Sequence, residues 1–183
     1  MSGNAKVSHN NEQRYVVAVG LDIESIDVFL ESSSLKVIDG RFLKEGDNNA
    51  VLIGYDYAYG KAFTKPLRTG ENVLINDRSY KIIGIMDRVG NPQDDRQVYF
   101  TADAARVLFN APTRVDSIIV QISQGEDLKS IAGKAEKKLR QFRDVDAKTQ
   151  DFFMLTPEEI LKSFDTILNI LTAFLLEIGR AHV

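Results

Sequence analysis

The last twenty residues read FDTILNILTAFLLEIGRAHV, and the ten from Ile167 to Leu176 hold only two polar side chains, Asn169 and Thr172. A run this apolar has to be covered by something, because water is the worst surrounding for it. Just upstream, Thr156, Pro157 and Glu159 make a strong helix start, with Thr as N-cap, Pro at the first helical position and Glu closing a capping box. Along the helix that follows, Ile160, Phe164, Ile167 and Leu171 form one stripe with Leu161 and Leu168 beside it, while Lys162, Ser163, Asp165 and Thr166 lie elsewhere on the circumference. Beyond Ile167, apolar side chains fall on almost every side. That change of character is expected where a helix passes from a protein surface into a core or a bilayer. The run is shorter than the roughly 20 residues that span a bilayer. Two readings follow: a buried C-terminal core helix, or the first part of a membrane helix cut short. The position at the chain end, and the ending EIGRAHV, favour the second. The expected organisation is a core domain over 1–155, open to division into two subdomains, a stalk helix over 156–178 that leads into a truncated membrane helix, and a tail over 179–183.

Upstream of that helix, short strand and helix patterns intermix. KVSHNNEQRYVVAVG predicts a hairpin turning at Asn10-Asn11. Asp22 is placed to cap a short helix through IESIDVFLE, with Ile23, Ile26, Phe29 and Leu30 on one side. SSSLKVIDGRFL predicts a linker, a strand and a turn at Gly40, AVLIG a buried strand, and YDYAYGKAF one or two helical turns. ENVLINDRSYKIIGIMDRV predicts a hairpin around Asn76 to Ser79, followed by the loop GNPQDDR and the strand QVYF. Thr101 is expected to cap the helix ADAARVLF, with Asp103 near its positive end. DSIIVQIS and DFFML predict two further strands, separated by an amphipathic helix over EDLKSIAGKAEKKLRQFR, with Leu128, Ile131, Ala132, Ala135, Leu139 and Phe142 on one face. The pattern has no strict strand–helix alternation. It predicts an α+β fold with mixed or antiparallel sheets, several short helices, one long amphipathic helix and the C-terminal stalk helix.

Little in the chain asks for catalysis. The absence of cysteine rules out thiol chemistry, disulfides and cysteine-based zinc sites. A net charge of −3 argues against nucleic acid, which calls for a basic face. The N-terminal MSGNAKVSHNNEQ is polar from its first residue and holds no signal peptide, so export would depend on a segment outside this sequence. GYDYAYGKAFT fails as a phosphate-binding loop, since five residues separate Gly54 from Gly60 and Ala62 stands where Ser or Thr is needed. Both histidines, His9 and His182, lie near the chain ends. Of the acid pairs, Asp94-Asp95 is expected on a solvated loop and Glu158-Glu159 is explained by helix capping and the dipole. The basic face with Lys129, Lys134, Lys137, Lys138, Arg140 and Arg143 suits anionic lipid or a partner, and equally a solvated surface diluted by Glu126, Asp127 and Glu136. No catalytic, cofactor or metal residue is assigned. The residues singled out are the stalk or self-association set Ile160, Phe164, Ile167 and Leu171.

The order of landmarks resembles the extracytoplasmic core domain of MacB/FtsX-type ABC transporter permeases. VVAVGLD before a short helix, the turn DGRFL, AVLIGYDYAYGKAF and PLRTGENVLINDRSYKIIGIMD match that pattern in sequence, followed by DDRQVYFTADAARVLF, VDSIIVQIS, the amphipathic helix and DFFMLTPEEILKSFDTILNILTAFL. The resemblance covers roughly 14–176. Arg68-Thr69-Gly70 and Asp77 depart from the usual turn residues, Glu177 interrupts the final apolar run, and the family's opening strand–helix segment has no counterpart.

What the resemblance implies is a non-catalytic domain held outside the membrane, contacting cargo or a partner protein and relaying ATP-driven motion of the membrane helices. Its partners would be those helices, a second permease subunit and a separate cytoplasmic ATPase. Two other readings stay in view: a free-standing binding or sensor domain that dimerises through its last helix, and a small hydrolase or transferase using scattered carboxylates.

Overall fold

The computed structural model describes residues 1–26, 35–60 and 62–180. They form two compact units, Met1–Val120 and Gln121–Val183.

In the first unit, two asparagine-led turns set the strand pairing. Asn10 and Asn11 have φ of 47° and 64°, as a two-residue hairpin turn requires. They reverse β1 (Ser2–His9) into β2 (Glu12–Leu21), with Ser2 opposite Val19 and His9 opposite Glu12. Asn76 and Asp77 repeat the same angles between β5 (Asn72–Ile75) and β6 (Arg78–Met86). This second turn is tighter than expected. Arg78 and Ser79 already belong to β6, because a two-residue turn matches the twist of the strands it joins.

Between the hairpins lie β3 (Val37–Gly40), β4 (Ala50–Ile53) and the single-turn helix α1 (Tyr55–Ala58). After them come a 3-10 turn (Asp94–Arg96), β7 (Val98–Thr101) and α2 (Ala102–Leu108). Thr101 caps α2 as expected, its hydroxyl accepting from the Ala104 N–H at 3.2 Å. The helix expected over IESIDVFLE falls largely outside the described residues. Ile23 and Ile26 are described, and both pack on the sheet.

The strands run β3-β6-β4-β7-β2-β1-β5, and β5 pairs with β6 as well. The pairings therefore close a ring through β6, β4, β7, β2, β1 and β5, with β3 joined to the far part of β6. β2–β7 and β4–β6 are parallel and the rest antiparallel, a mixed sheet as the α+β reading expects. Where β1 meets β5, the turn adds a clamp. The Lys6 N–H donates to Asn76 Oδ1 at 2.8 Å, the Asn76 N–H donates to the Lys6 carbonyl at 2.9 Å, and the Lys6 ammonium lies 2.9 Å from Asp77.

All residues of β4 and β7 are buried, which is why neither shows polar alternation. On one face Val51, Ile53, Val98 and Phe100 join Ile82, Ile75 and Tyr80. On the other, Leu52, Tyr99 and Met86 meet Leu21, Leu43 and the half-buried Val37 and Phe42. A bulge keeps both faces filled. Val51 pairs with Ile82 but Leu52 pairs with Gly84, so Ile83 is passed over and the inward positions of β6 change from Tyr80 and Ile82 to Ile85.

Gly40 has φ +81°, and a Cβ there would sit 2.2 Å from the Ile83 carbonyl oxygen. The next residue, Arg41, donates its N–H to that same oxygen at 3.0 Å and holds Asp47 with two guanidinium bonds of 2.7 and 2.9 Å. The Asp47 carboxyl is held below its ordinary range, first by Arg41.

In the second unit, α3 (Leu128–Arg143) is capped by Asp127, which accepts from the Ser130 N–H at 2.9 Å. It ends at left-handed Asp144, where the Val145 N–H returns to the Arg140 carbonyl at 3.1 Å. The helix α4 spans Pro157–Arg180. The two strands expected at DSIIVQIS and DFFML do not form. Residues 116–123 and 151–155 are without regular structure, and Ile118, Val120, Phe153 and Leu155 are exposed. Their composition suits a pleated surface, but propensity of this kind reflects packing on neighbours, and among the described residues neither segment enters a strand pairing.

Gly40→Ala is expected to lower the unfolding free energy by about 2–4 kcal/mol, combining left-handed strain with the Ile83 contact. Gly46, at the same φ with nothing within 4 Å of a Cβ, isolates the strain. Gly46→Ala should cost about 1 kcal/mol. Urea unfolding of the two variants measures the difference.

Candidate functional surface

Several titratable side chains of the first unit are used for structure. Gly54, the start of the stretch that invites comparison with a phosphate loop, donates its N–H to the Gln97 carbonyl at 2.9 Å. A Cβ on it would lie 2.3 Å from the Asp95 carbonyl oxygen. The glycine is there so that two backbones can touch. Tyr57 OH donates to the Arg96 carbonyl at 2.9 Å, and burial pushes its phenol well above the ordinary value. Burial likewise raises Tyr99 to about 12, with Asp94 and then Asp95 adding to it. Arg96 and Asp56 pair at 3.0 Å. α1 and the 3-10 turn thus form one locked corner.

Asp95 does not lie on a solvated loop as the sequence suggests. It is 3% exposed, and its carboxylate accepts the Val89 N–H at 2.7 Å and the Gly90 N–H at 3.2 Å. The only hint in the sequence was the turn-rich GNP just before the acid pair. A carboxylate that returns to peptide groups five and six residues earlier leaves no periodic signature. Asp94, half-buried at the start of the 3-10 turn, accepts from Asn91 and Gln97 side chains at 3.1 and 2.7 Å.

His9 sits edge-on against Phe63, with ring centroids 5.7 Å apart, and His182 lies outside the described residues. Among the described residues no three metal-ligating side chains come together. On α3, Arg140 pairs with Glu136 at 3.0 Å, Lys129 with Glu158 at 3.4 Å, and Arg143 with Asp151. Half of the basic face is therefore already matched by acids.

What stands out is α4. Its start is the expected capping box: Glu159 accepts from the Thr156 N–H at 2.8 Å and its hydroxyl at 2.9 Å, and the Glu159 N–H returns to that hydroxyl at 3.3 Å. Beyond Thr156 the apolar stripe is uncovered: Ile160 is 41% exposed, Phe164 60%, Ile167 53% and Leu171 51%. The structure brings these four to one side of one helix, at spacings of four, three and four residues. Leu161, Leu168, Ile170 and Phe174 widen that side and are exposed too. Asn169 and Thr172, at 3.6 residues per turn, fall on the same side as Lys162 and Asp165. The helix thus remains two-faced as far as Phe174, further than the expected change at Ile167. Three hydroxyls on α4 bond within the helix: Ser163 to the Glu159 carbonyl, Thr166 to Lys162 and Thr172 to Leu168, at 2.8–2.9 Å. Among the described residues no helix is long and apolar enough to cross a membrane.

Asp95→Ala should cost about 2 kcal/mol in urea unfolding, because two peptide donors lose their acceptor, whereas Asp94→Ala should cost about 1 kcal/mol or less. Glu159 is held below its ordinary 4.5, first by the Thr156 N–H and then by its hydroxyl. Its support of α4 is present above pH 4.5 and is lost as pH falls through the depressed folded value. The Thr156 amide resonance should report that titration, and Glu159→Gln should abolish it.

Comparison with known proteins gives one consistent answer. The model of the MacB-like periplasmic core domain matches residues 1–138. An uncharacterized ABC transporter permease, MJ1507, of Methanocaldococcus jannaschii is 26% identical over 178 residues, which cover 97% of this chain and 43% of that protein. The chain thus spans less than half the length of that permease. Among solved structures, the periplasmic region of MacB from Actinobacillus actinomycetemcomitans is similar in fold, with a TM-score of 0.71 and 20% identity over 90% of this chain and 72% of that one. The extracellular domain of the noncanonic ABC-type transporter YknZ from Gram-positive bacteria follows at 0.59 and 19%, over 79% and 74%. The family model covers well over half of the sequence and the fold agrees with it: the chain belongs to the MacB-like periplasmic core domain family.

Proposed function

We propose that this chain is the part of an ABC transporter permease that stands outside the membrane, periplasmic where an outer membrane exists. It carries no reaction of its own. It meets cargo or a partner protein and moves with the membrane helices, which a second permease subunit shares and a cytoplasmic ATPase drives. The core would comprise 1–155 and the stalk 156–178. The words permease, periplasmic and extracellular in the relatives' names support the location.

The observation that carries the relay is the form of α4. It runs for 24 residues without a break, about 36 Å at 1.5 Å per residue, and its first turn is fixed by the reciprocal Thr156–Glu159 bonds. A continuous helix of that length passes a displacement at one end to the other. In its uncovered face the helix has the surface such an element needs for packing against other helices.

The test uses the full-length transporter, reconstituted with its ATPase. A dye on Lys65→Cys of each subunit reports the distance between copies of this domain. ATP should change that distance. Glycines at Thr166 and Asn169, which loosen α4 by roughly 1 kcal/mol or less each without touching its apolar side, should blunt the change while leaving ATP hydrolysis intact. A distance that ignores ATP, or a response that ignores the glycines, would sink the relay.

A further inference from the structure

We infer that the free flank of α3, with Lys134, Lys137, Lys138 and the exposed ring of Phe142, rests on the phosphate headgroups of an anionic phospholipid surface. That such a surface lies within reach rests on the permease reading. The cationic flank is a property of the helix itself.

The charges of α3 are sorted by side. Residues 151 to 158 run back along the helix, since Arg143 at its end holds Asp151 and Lys129 near its start holds Glu158 at 3.4 Å. At about 3.6 residues per turn, Lys129, Glu136, Arg140 and Arg143 share that flank, and Arg140 pairs with Glu136 at 3.0 Å. Lys134, Lys137 and Lys138 fall on the opposite flank. All three are exposed and, among the described residues, in no ion pair. Glu136 is the one acid within α3, and the caps Asp127 and Asp144 stand more than a turn away from these lysines. Like charges three and four residues apart repel one another, so the trio gains from a shared counter-charge.

The shape of the patch decides the occupant. Lys134, Lys138 and Phe142 follow at spacings of four, one above the next along the helix. Phe142 is 88% exposed, more than any other large hydrophobic among the described residues. Half-buried Ile131, Ala135 and Leu139 continue the apolar side next to it. A lone ring and three long lysines on a convex helix offer a folded partner no concave seat. A bilayer interface needs none. There the ring enters at headgroup level, the lysine stems lie over apolar surface, and the ammonium groups reach the phosphates.

The chain has no tryptophan, so Phe142→Trp is a single fluorescent reporter. In the purified chain its emission should shift to the blue on phosphatidylcholine–phosphatidylglycerol vesicles, and high salt should reverse the shift. Vesicles of phosphatidylcholine alone set the baseline, because the apolar side of α4 can meet them without charge. Over that baseline, Lys134→Gln, Lys137→Gln and Lys138→Gln together should lower partitioning by about tenfold or more. Gln forms helix as well as Lys does, and circular dichroism checks that α3 stays folded. Lys44→Gln, Lys65→Gln and Lys81→Gln make the same change of net charge on exposed lysines of the first unit and should leave partitioning unaltered. An equal blue shift on phosphatidylcholine alone would overturn the inference, as would an α3 triple variant that binds like its parent or an equal loss from the first-unit lysines. So would release by inorganic phosphate beyond that by sodium chloride at the same ionic strength, which would mean a site for the free anion. The same blue shift with polyglutamate in place of vesicles would make an acidic protein the occupant. No ATP enters this readout, so it can fail while the relay test succeeds, and the reverse.

Discussion

The first unit depends on closing its sheet. β1 meets β5 through Val7 opposite Ile75 and Ser8 opposite Leu74, a short contact made secure by the clamp between Lys6 and the Asn76-Asp77 turn. An open sheet would leave β1 and β5 as edges with unpaired N–H and C=O groups, each ready to accept a foreign strand. Closing the ring satisfies them and encloses Val7, Ile75, Val73 and Phe100 in one cluster. The turn does two jobs at once. Its left-handed residues reverse the chain, and their side chains grip the neighbouring strand.

The second unit is built on the opposite principle. Among its described residues only Thr156 is buried, so its helices are held by their ends more than by a core. Asp127 and Asp144 bracket α3, Thr156 and Glu159 start α4, and Arg143 ties α3 to Asp151. Caps of this kind define where a helix begins and stops. They cannot cover apolar surface, and the side of α4 that runs from Ile160 to Phe174 stays open. That contrast, a first unit closed on itself and a second with a face left over, is the basis for reading the first as scaffold and the second as coupling element.

Much of this was legible residue by residue. The two hairpins were readable because Asn-Asn and Asn-Asp favour left-handed turns between β-branched runs. The caps at Thr101 and Thr156 and the amphipathic helix were readable because each is a local pattern of a few residues. Asp95 was not: what makes it structural is the return of the chain to Val89 and Gly90, a matter of distance in space. DSIIVQIS and DFFML were misread for a related reason, since a strand is a property of a pair and their sequence could not say which segments enter the pairings seen among the described residues.

The sequence by itself determined the strands β1 to β7 of the first unit, the capping of the last helix, the lack of thiol chemistry and the stripe at Ile160, Phe164, Ile167 and Leu171. These follow from local conformational preference and from periodicity. Only the tertiary structure decided that the sheet closes into a ring, that a bulge at Ile83 lets β6 serve both apolar clusters, and that Gly40 and Gly54 stand where two backbones touch. It also decided that the stripe on α4 is uncovered. Each of these depends on which distant residues meet, and the chain commits to that only when it packs.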